Sequence, residues 1–155
     1  MTNHLIPSDF NATMRKFGAP HTIIRSYQHW SVLLRPAQVT LGSLVLAAHE
    51  PATAFSQLSA ASFTELHEVT RAIETALSKA FHYDKINYLM LMMVDHHVHL
   101  HVIPRYQATR QFAGVDWVDN GWPAFPVLAD RQHSQDAEVL RRMRDALRSA
   151  YADLP

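Results

Sequence analysis

The chain carries hydrophobic patterns of both strand and helix type. Two short apolar runs, Trp30 to Leu34 and Ser43 to Ala47, flank a connection that contains Pro36 and Gly42, which is typical of a hairpin. From Ser62 onward, apolar residues recur at intervals of three and four, which predicts a long helix with one apolar side. The positions on this side are Phe63, Leu66, Val69, Ile73, Leu77 and Phe81.

The two predicted helices have candidate caps. Ser62 and Glu65 have the spacing of a capping box, in which two side chains satisfy backbone donors of the first turn, so we expect the long helix to begin there. A second helix is predicted from about Gln135, with Ser134 as its cap. Its apolar stripe comprises Leu140, Met143, Leu147 and Tyr151. Residues 107–133, which precede the second helix, contain several Gly and Pro residues, and we expect them to be ordered but irregular.

The segment Lys85 to Val94 is apolar at both odd and even positions. This pattern is typical of a central strand that is covered on both faces. The histidine-rich residues that follow come after a very short connection, so we expect the two segments to pair as antiparallel neighbours.

Length and composition limit the possible functions. The chain has 155 residues, 48% of them apolar, which predicts one compact domain over residues 1–155. Its 14 basic and 14 acidic residues cancel, so no overall positive field would gather nucleic acid or an anionic membrane. It has no cysteine, which excludes disulfides and thiolate metal sites within it. No apolar run reaches the ~20 residues of a membrane span, and residues 1–18 do not resemble a secretory signal, so we expect a cytoplasmic location.

Histidines are concentrated in one short segment. Four of the eleven lie between Asp95 and Tyr106, and three of these, His97, His99 and His101, alternate with apolar residues. In a strand they would share one face, while the apolar residues between them could pack on the long helix. Three imidazoles buried without partners would be costly, so this face must line a cleft or bind a ligand. His96 has the opposite parity, and we expect it to be structural or exposed.

Two kinds of chemistry fit the three alternating histidines. They could be ligands of a zinc or iron ion, with Asp95 completing the coordination shell. Alternatively, one imidazole could attack phosphorus as a nucleophile while its neighbours bind the phosphate and move protons. The residues alone leave both readings open.

The segment resembles the histidine triad family, whose signature is His, apolar, His, apolar, His, apolar, apolar. Residues His97 to Ile103 match this signature at every position. Leu41 to Leu58 is similar to the family's strand and following turn, and Pro104 and Arg105 are similar to the Pro-Arg of its nucleotide-hydrolysing, fragile-histidine-triad-like branch. The likeness spans residues 27–106.

The resemblance implies an α+β fold. We expect an antiparallel sheet of about five strands, with the long helix packed on one face and a C-terminal helix after it. Residues 27–106 would form the family core and residues 107–155 a C-terminal extension. Family members form two-fold dimers, so a homodimer is also implied.

The resemblance also implies roles for individual residues. The middle histidine of the family attacks the α-phosphorus of a nucleotide, which makes His99 the nucleophile. By the same transfer, His101 contacts the phosphate and donates a proton to the leaving group, and His97 orients the others. Arg35 stands where relatives have a ribose-contacting asparagine, and its guanidinium could grip phosphate. His49 lies where some relatives place a further histidine, and we predict it as a substrate contact.

One feature departs from the family pattern. Hydrolases of the family carry a Gly-Gln or Gly-Gln-Ser loop just before the triad, whereas this chain reads Met92, Met93, Val94 and Asp95 there. Asp95, a predicted substrate-binding residue, could replace the missing polar contact by holding an imidazole in one tautomer. Its carboxylate would repel a phosphate, however, which favours a role behind the residues that contact the substrate, or in a structural turn. The lost glutamine also keeps a non-catalytic nucleotide-binding module in play.

These observations predict a nucleotide phosphoester or phosphoanhydride hydrolase, or a nucleotidyl transferase, acting on purine nucleotides. No protein-bound metal or cofactor is required for this chemistry, although a divalent metal could accompany a polyphosphate substrate. The expected partners are a small nucleotide and a second copy of the chain, not nucleic acid or a membrane. A metal-dependent hydrolase that uses the histidine cluster is the alternative enzyme.

Overall fold

A five-stranded antiparallel sheet forms the centre of the protein in the computed structural model, which describes residues 10–155. Its strands are β1 (Ile23–Ser26), β2 (Trp30–Leu34), β3 (Leu44–Ala48), β4 (Lys85–Leu89) and β5 (His99–Arg105), in the spatial order β1-β2-β3-β5-β4. The other elements are helices α1 (Ala12–Lys16), α2 (Ala60–Phe81) and α3 (Ala137–Ala152), and a small hairpin of β6 (Arg110–Phe112) and β7 (Val115–Trp117). The predicted α+β class is confirmed.

The long helix and the histidine segment share one hydrophobic core. Val69, Ile73 and Leu77 of α2 are fully buried together with Val98 and Val102. The apolar residues that alternate with the histidines therefore face the core, as the alternation predicts.

The hairpin and the start of α2 are tied by a buried tryptophan. The indole nitrogen of Trp30 in β2 donates a hydrogen bond of 2.9 Å to the carbonyl of Ser62. This bond satisfies a polar ring atom that burial would otherwise leave without a partner.

The predicted capping box at Ser62 is wrong, because α2 begins earlier. Ser59 is the cap, and its hydroxyl accepts a bond of 3.2 Å from the backbone nitrogen of Ser62. Ser62 is buried inside the helix, where its hydroxyl donates to Glu50 at 2.8 Å, and Glu65 accepts from the backbone nitrogen of His29 at 2.6 Å. Both side chains that the local pattern assigned to the cap form tertiary hydrogen bonds instead.

The predicted cap of the last helix is also wrong. Helix α3 begins at Ala137, and the carboxylate of Asp136 accepts a bond of 3.2 Å from the nitrogen of Val139. Ser134 lies before the helix, where its hydroxyl accepts a bond of 3.2 Å from the nitrogen of Gln38. The last helix itself is confirmed.

Strand β4 is an edge strand, which corrects the prediction of a central one. It ends at Leu89, and residues 90–98 form an irregular connection to β5 instead of a short turn. Met93 and Val94 in this connection are 81% and 78% exposed, so their apolar character does not come from burial in the sheet. The antiparallel pairing is confirmed, with Leu89 opposite His101.

A buried ion pair fastens the segment after the sheet to β5. The Arg105 guanidinium binds the Asp119 carboxylate through Nε at 2.7 Å and Nη2 at 3.2 Å, and donates to Asn87 Oδ1 and the Ala124 carbonyl, both at 2.8 Å. Both charged side chains are at most 5% exposed. Arg105 is therefore not solvated, although it ends its strand, because the folded segment 107–133 covers it.

None of the helices within residues 10–155 combines the length and the apolarity that a membrane span requires. Residues 1–9, half of the segment examined for a secretory signal, lie outside the described residues.

We predict that Asp119→Ala lowers the free energy of unfolding by about 3–5 kcal/mol, because it leaves a buried guanidinium without its counter-charge. Urea unfolding followed by circular dichroism measures the change. Asp116→Ala is the matched control, since Asp116 lies in the same segment with an exposed side chain. Equal stability of the two variants would contradict the assigned role of the ion pair.

Candidate active site

A cavity of about 450 Å³ opens where β2 and β5 meet the connection that precedes the histidines. This volume is in the range of small-molecule sites. The cavity combines polar and apolar walls that come from five separate parts of the chain. Its lining residues are Lys16, Phe17, Arg35, Pro36, Ala37, Leu91, Met92, Met93, Val94, Asp95, His99, His101 and Arg131.

His99 is held in one tautomer. Its ring is 2% exposed, and its Nδ1 lies 2.7 Å from the backbone carbonyl of His97. Because a carbonyl only accepts hydrogen bonds, Nδ1 carries the proton and Nε2 keeps its lone pair. The ring is further confined by His101, whose centroid is 5.2 Å away at an interplanar angle of 81°. A fixed imidazole with a free lone pair at a cavity is suited to nucleophilic attack.

His101 is a neutral neighbour of that nucleophile. Burial, and next the positive charge of Arg35, lower the pKa of His101 from 6.5 to about 4. Its Nδ1 is buried and has no hydrogen-bond partner. His101 therefore lines the cavity as an uncharged imidazole at neutral pH, and Nε2 is its ring nitrogen available to a ligand.

Arg35 is fixed at the end of β2 by the buried amide of Gln38. The amide nitrogen donates to the carbonyls of Arg35 and Ser43 at 2.6 and 2.9 Å, and the amide oxygen accepts from the nitrogens of Gly42 and Ser43, both at 3.0 Å. All four hydrogen-bonding capacities of the amide are used, so the turn between β2 and β3 is rigid. Gly42 has a φ of +83°, a conformation that favours glycine.

The guanidinium of Arg35 has spare hydrogen-bonding capacity. One Nη1 bond goes to the carbonyl of Ala37, while Nε is buried without a partner. Burial, and the charge of Arg131 nearby, lower the pKa of Arg35 from its usual value. An anion in the cavity would satisfy these donors and relieve the repulsion between the two guanidinium groups.

The N-terminal helix supplies two residues that sequence reasoning missed. Phe17 packs against the rings of His99 and His101, with both centroids 5.9 Å away. Lys16 forms an ion pair of 2.7 Å with Asp95. Asn11, which caps α1, donates from its side chain to the carbonyl of Ala48 and so anchors the helix to β3. The only sequence signal is the spacing of Asn11 as a cap, which says nothing about the distant histidines.

Positive charge prevails in the cavity. Its lining includes three cationic side chains, from Lys16, Arg35 and Arg131, and one carboxylate, from Asp95. Because Asp95 is paired with Lys16, the two arginines are left without a carboxylate partner among residues 10–155. A chain with no net charge thus has a local excess of positive charge, and Arg131, which no motif indicated, contributes to it.

The predicted site residues are only partly brought together. Four of them, Arg35, Asp95, His99 and His101, line the cavity. His97 precedes β5, so its expected place within the strand is wrong, and it reaches the site through its carbonyl. His49 lies outside the cavity lining, and its ring contacts the hydroxyl of Ser31 at 2.8 Å and the carbonyl of Gln28 at 3.0 Å. Its contact with a substrate stays a prediction.

The described residues do not gather a metal-ligand set. Within residues 10–155, no three or more His, Cys, Asp or Glu side chains converge as metal ligands would. The four candidates for such a set, His97, His99, His101 and Asp95, are therefore not arranged around a common point.

The order of the elements and the histidine strand agree with a known family. Its family model, the HIT domain, matches residues 21–108, which is more than half of the chain. The chain belongs to the HIT domain family. A search of curated proteins found no match.

Solved structures show the same fold. A histidine triad protein from Bradyrhizobium japonicum is 21% identical with a TM-score of 0.70, covering 92% of this chain and 96% of its own. A zinc-bound histidine triad family protein from Mycobacterium smegmatis is 18% identical with a TM-score of 0.59, covering 92% and 94%. Diadenosine triphosphate hydrolase from Plasmodium falciparum is 10% identical with a TM-score of 0.63, covering 86% and 78%. These HIT proteins share the architecture, and their low identity limits the comparison to the fold.

We predict that His101 titrates in the ligand-free protein with a pKa of about 4. Replacing Arg35 by Met should raise that pKa but leave it below 6.5, because burial remains the larger cause. Proton NMR titration measures it, with the resonance assigned by its loss in His101→Gln. Arg142→Met, which removes a guanidinium outside the cavity, should leave the value unchanged. Titration of His101 near 6.5 would contradict the assigned environment.

Proposed function

We propose that this HIT protein is a nucleotide hydrolase or nucleotidyl transferase that works through a nucleotidyl-histidine on His99. The observation that carries the proposal is the 2.7 Å contact between Nδ1 of His99 and the carbonyl of His97, which assigns the proton to Nδ1 and leaves the Nε2 lone pair free in a cavity with an excess of cations. Both features are what displacement at a phosphorus atom requires: a positioned nucleophile and charge to stabilise the phosphoryl oxygens.

In the first step, Nε2 of His99 attacks the α-phosphorus of the substrate. A bond forms between Nε2 and phosphorus as the bond to the leaving group breaks, and the leaving group departs with the bonding electrons. The ring becomes positively charged, and the carbonyl of His97, which accepts a hydrogen bond of 2.7 Å from Nδ1–H, stabilises that charge. In the second step, water or an acceptor alcohol attacks the same phosphorus, the bond between phosphorus and Nε2 breaks with its electrons returning to the ring of His99, and the proton of the attacking oxygen passes to solvent.

The cations and His101 stabilise the phosphoryl oxygens during both steps. With its proton on Nε2, neutral His101 donates a hydrogen bond to one oxygen, and Arg35 donates from its guanidinium. A bound phosphate also raises the pKa of His101, so that it can hold a proton in the complex. Asp95 keeps its place beside Lys16 and away from the phosphate, because like charges repel.

The apolar walls suit a nucleoside. Phe17 and the connection from Leu91 to Val94 offer flat or flexible apolar surface for a base. A purine gives the larger contact area, and the fold shared with diadenosine triphosphate hydrolase is consistent with a purine nucleotide.

We predict that His99→Asn folds normally but loses turnover by at least about 10³-fold, because no other group replaces the nucleophile. A panel of adenosine and guanosine dinucleotides, sulfates and phosphoramidates tests this, with intact-protein mass spectrometry after a quench in base. A nucleoside monophosphate adduct should appear in the native protein and be absent from the variant.

His96→Asn is the control, because His96 is an exposed neighbour of the same type outside the cavity. Full activity in His99→Asn would contradict the proposal. Activity that disappears on chelation and returns with stoichiometric metal would favour the metal-dependent alternative. Tight nucleotide binding without turnover would favour a binding module.

We further propose that the protein forms a homodimer along β4. This strand is at the edge of the sheet and pairs only with β5 among the described residues, so its outer backbone groups are available for another strand. A groove beside it includes Phe125, which is 71% exposed, and Met93 beyond the end of β4 is 81% exposed. A second copy related by a two-fold axis would cover the edge and these apolar side chains together.

Sedimentation equilibrium should therefore give twice the chain mass at micromolar concentration. Phe125→Asp should weaken the dimer at least about tenfold, because it places a charge in the interface. Val118→Asp is the matched control, since Val118 is exposed but does not line the groove beside β4. A monomeric native protein, or equal effects of both changes, would contradict this interface.

A further inference from the structure

Arg131 reaches the cavity from outside the family's own region. The family model ends at residue 108, whereas Arg131 follows the irregular segment fastened by Asp119. Its side chain is exposed at the cavity, and the structure gives its guanidinium no ion pair or hydrogen bond within residues 10–155. An arginine that lines the same cavity as His99 and has no side-chain partner within residues 10–155 has its donors free for a ligand.

The backbone at Arg131 is firmly placed. The next residue, Gln132, donates from its backbone to the carbonyl of Gln38 at 2.8 Å and from its side chain to the carbonyls of Val39 and Val118 at 2.7 and 2.6 Å. Its side-chain oxygen accepts from the nitrogen of Val118 at 2.9 Å. Since Gln38 also fixes Arg35, one buried amide residue organises the backbone under both arginines.

The two arginines form a path from the histidines toward solvent. Arg35 is half-buried and close enough to act electrostatically on His101, and Arg131 is exposed and acts in turn on Arg35. The reacting α-phosphate must lie at the buried ring of His99, so the next group along the substrate would lie toward this pair. Two uncompensated guanidinium groups would hold an anionic group there in forked geometry.

The state of His101 points to the same kind of leaving group. An amine leaves only after it accepts a proton, and because burial and Arg35 depress the pKa of His101, this ring takes up a second proton less readily than an ordinary imidazole. A phosphate or nucleoside phosphate leaves as an anion and takes the electrons of the broken phosphorus–oxygen bond without a proton. The cations that disfavour protonation of His101 stabilise that anion.

We propose that Arg35 and Arg131 form a subsite for the anionic leaving group, so that the enzyme favours nucleoside phosphoanhydrides over phosphoramidates. The inference rests on the proposed function and narrows it to one substrate class. In the reaction, the bond between Nε2 of His99 and the α-phosphorus forms, the anhydride bond breaks, and the departing phosphate oxygen moves into the subsite.

The test compares two substrates that share adenosine and the α-phosphorus but differ in leaving group: diadenosine triphosphate, which releases ADP, and adenosine 5′-phosphoramidate. The native protein should have the higher kcat/KM for the anhydride. Arg131→Met should lower the ratio of kcat/KM for the anhydride to kcat/KM for the phosphoramidate at least about tenfold. The reason is that only the anhydride has an anionic leaving group that loses a charge-assisted contact. Arg131→Lys should recover part of the ratio.

Arg142→Met is the matched control, since it removes the same charge from an exposed position outside the cavity and should leave the ratio unchanged. An unchanged ratio in Arg131→Met, or an equal fall in Arg142→Met, would overturn the subsite.

A binding measurement separates this inference from the proposed function. Isothermal titration calorimetry should give a lower Kd for ADP than for AMP. Arg131→Met should reduce the ratio of the AMP Kd to the ADP Kd at least about tenfold. If the native protein turns over neither substrate, the proposed function fails. The existence of the subsite is then judged from the preference for ADP over AMP and its reduction in Arg131→Met. Equal affinity for ADP and AMP in the native protein would overturn it.

Discussion

The alternating pleat of β5 is the constraint on which the site depends. Leu100 and Val102 must face the core under α2, and this requirement turns His99 and His101 to the opposite face. Both neighbours of β5 in the sheet pair with it antiparallel, so its register is set from two sides. A slip by one residue would place the imidazoles in the core and the apolar residues in the cavity, and both changes would be costly. The packing of the core thus fixes the face of the sheet on which His99 and His101 lie.

Electrostatics then give the two histidines different tasks. Nδ1–H of His99 donates a hydrogen bond to a backbone carbonyl, so the other ring nitrogen keeps its lone pair without any carboxylate partner. His101 lies in the field of Arg35, which, after burial, lowers the pKa of His101 and would also attract an anion. One guanidinium therefore suppresses a proton in the free site and favours an anion there. A protein without net charge can therefore still concentrate positive charge at one cavity.

Local patterns predicted the parts of the fold that depend on local physics. The hairpin of β2 and β3, the existence of α2 and α3, and the orientation of the β5 side chains follow from periodicity over neighbouring residues. The caps of α2 and α3 did not, because Glu50 binds Ser62 and Gln38 binds Ser134 across long sequence separations. The edge position of β4 was also missed, since exposed apolar residues in 90–94 have the same composition as a buried strand.

The residues of the candidate site also differ in whether a local sequence pattern could identify them. The proposed nucleophile, His99, could be nominated from the sequence, because it lies in a signature of seven consecutive residues. Lys16, Phe17 and Arg131 come from flanking segments outside the matched region 21–108, and only folding brings them to the histidines. Recognition of the leaving group requires charges some distance from the reacting phosphorus, which a single strand cannot provide. Flanking segments can therefore change which leaving group is favoured while the strand keeps the reaction, and likeness in the triad alone does not determine the substrate.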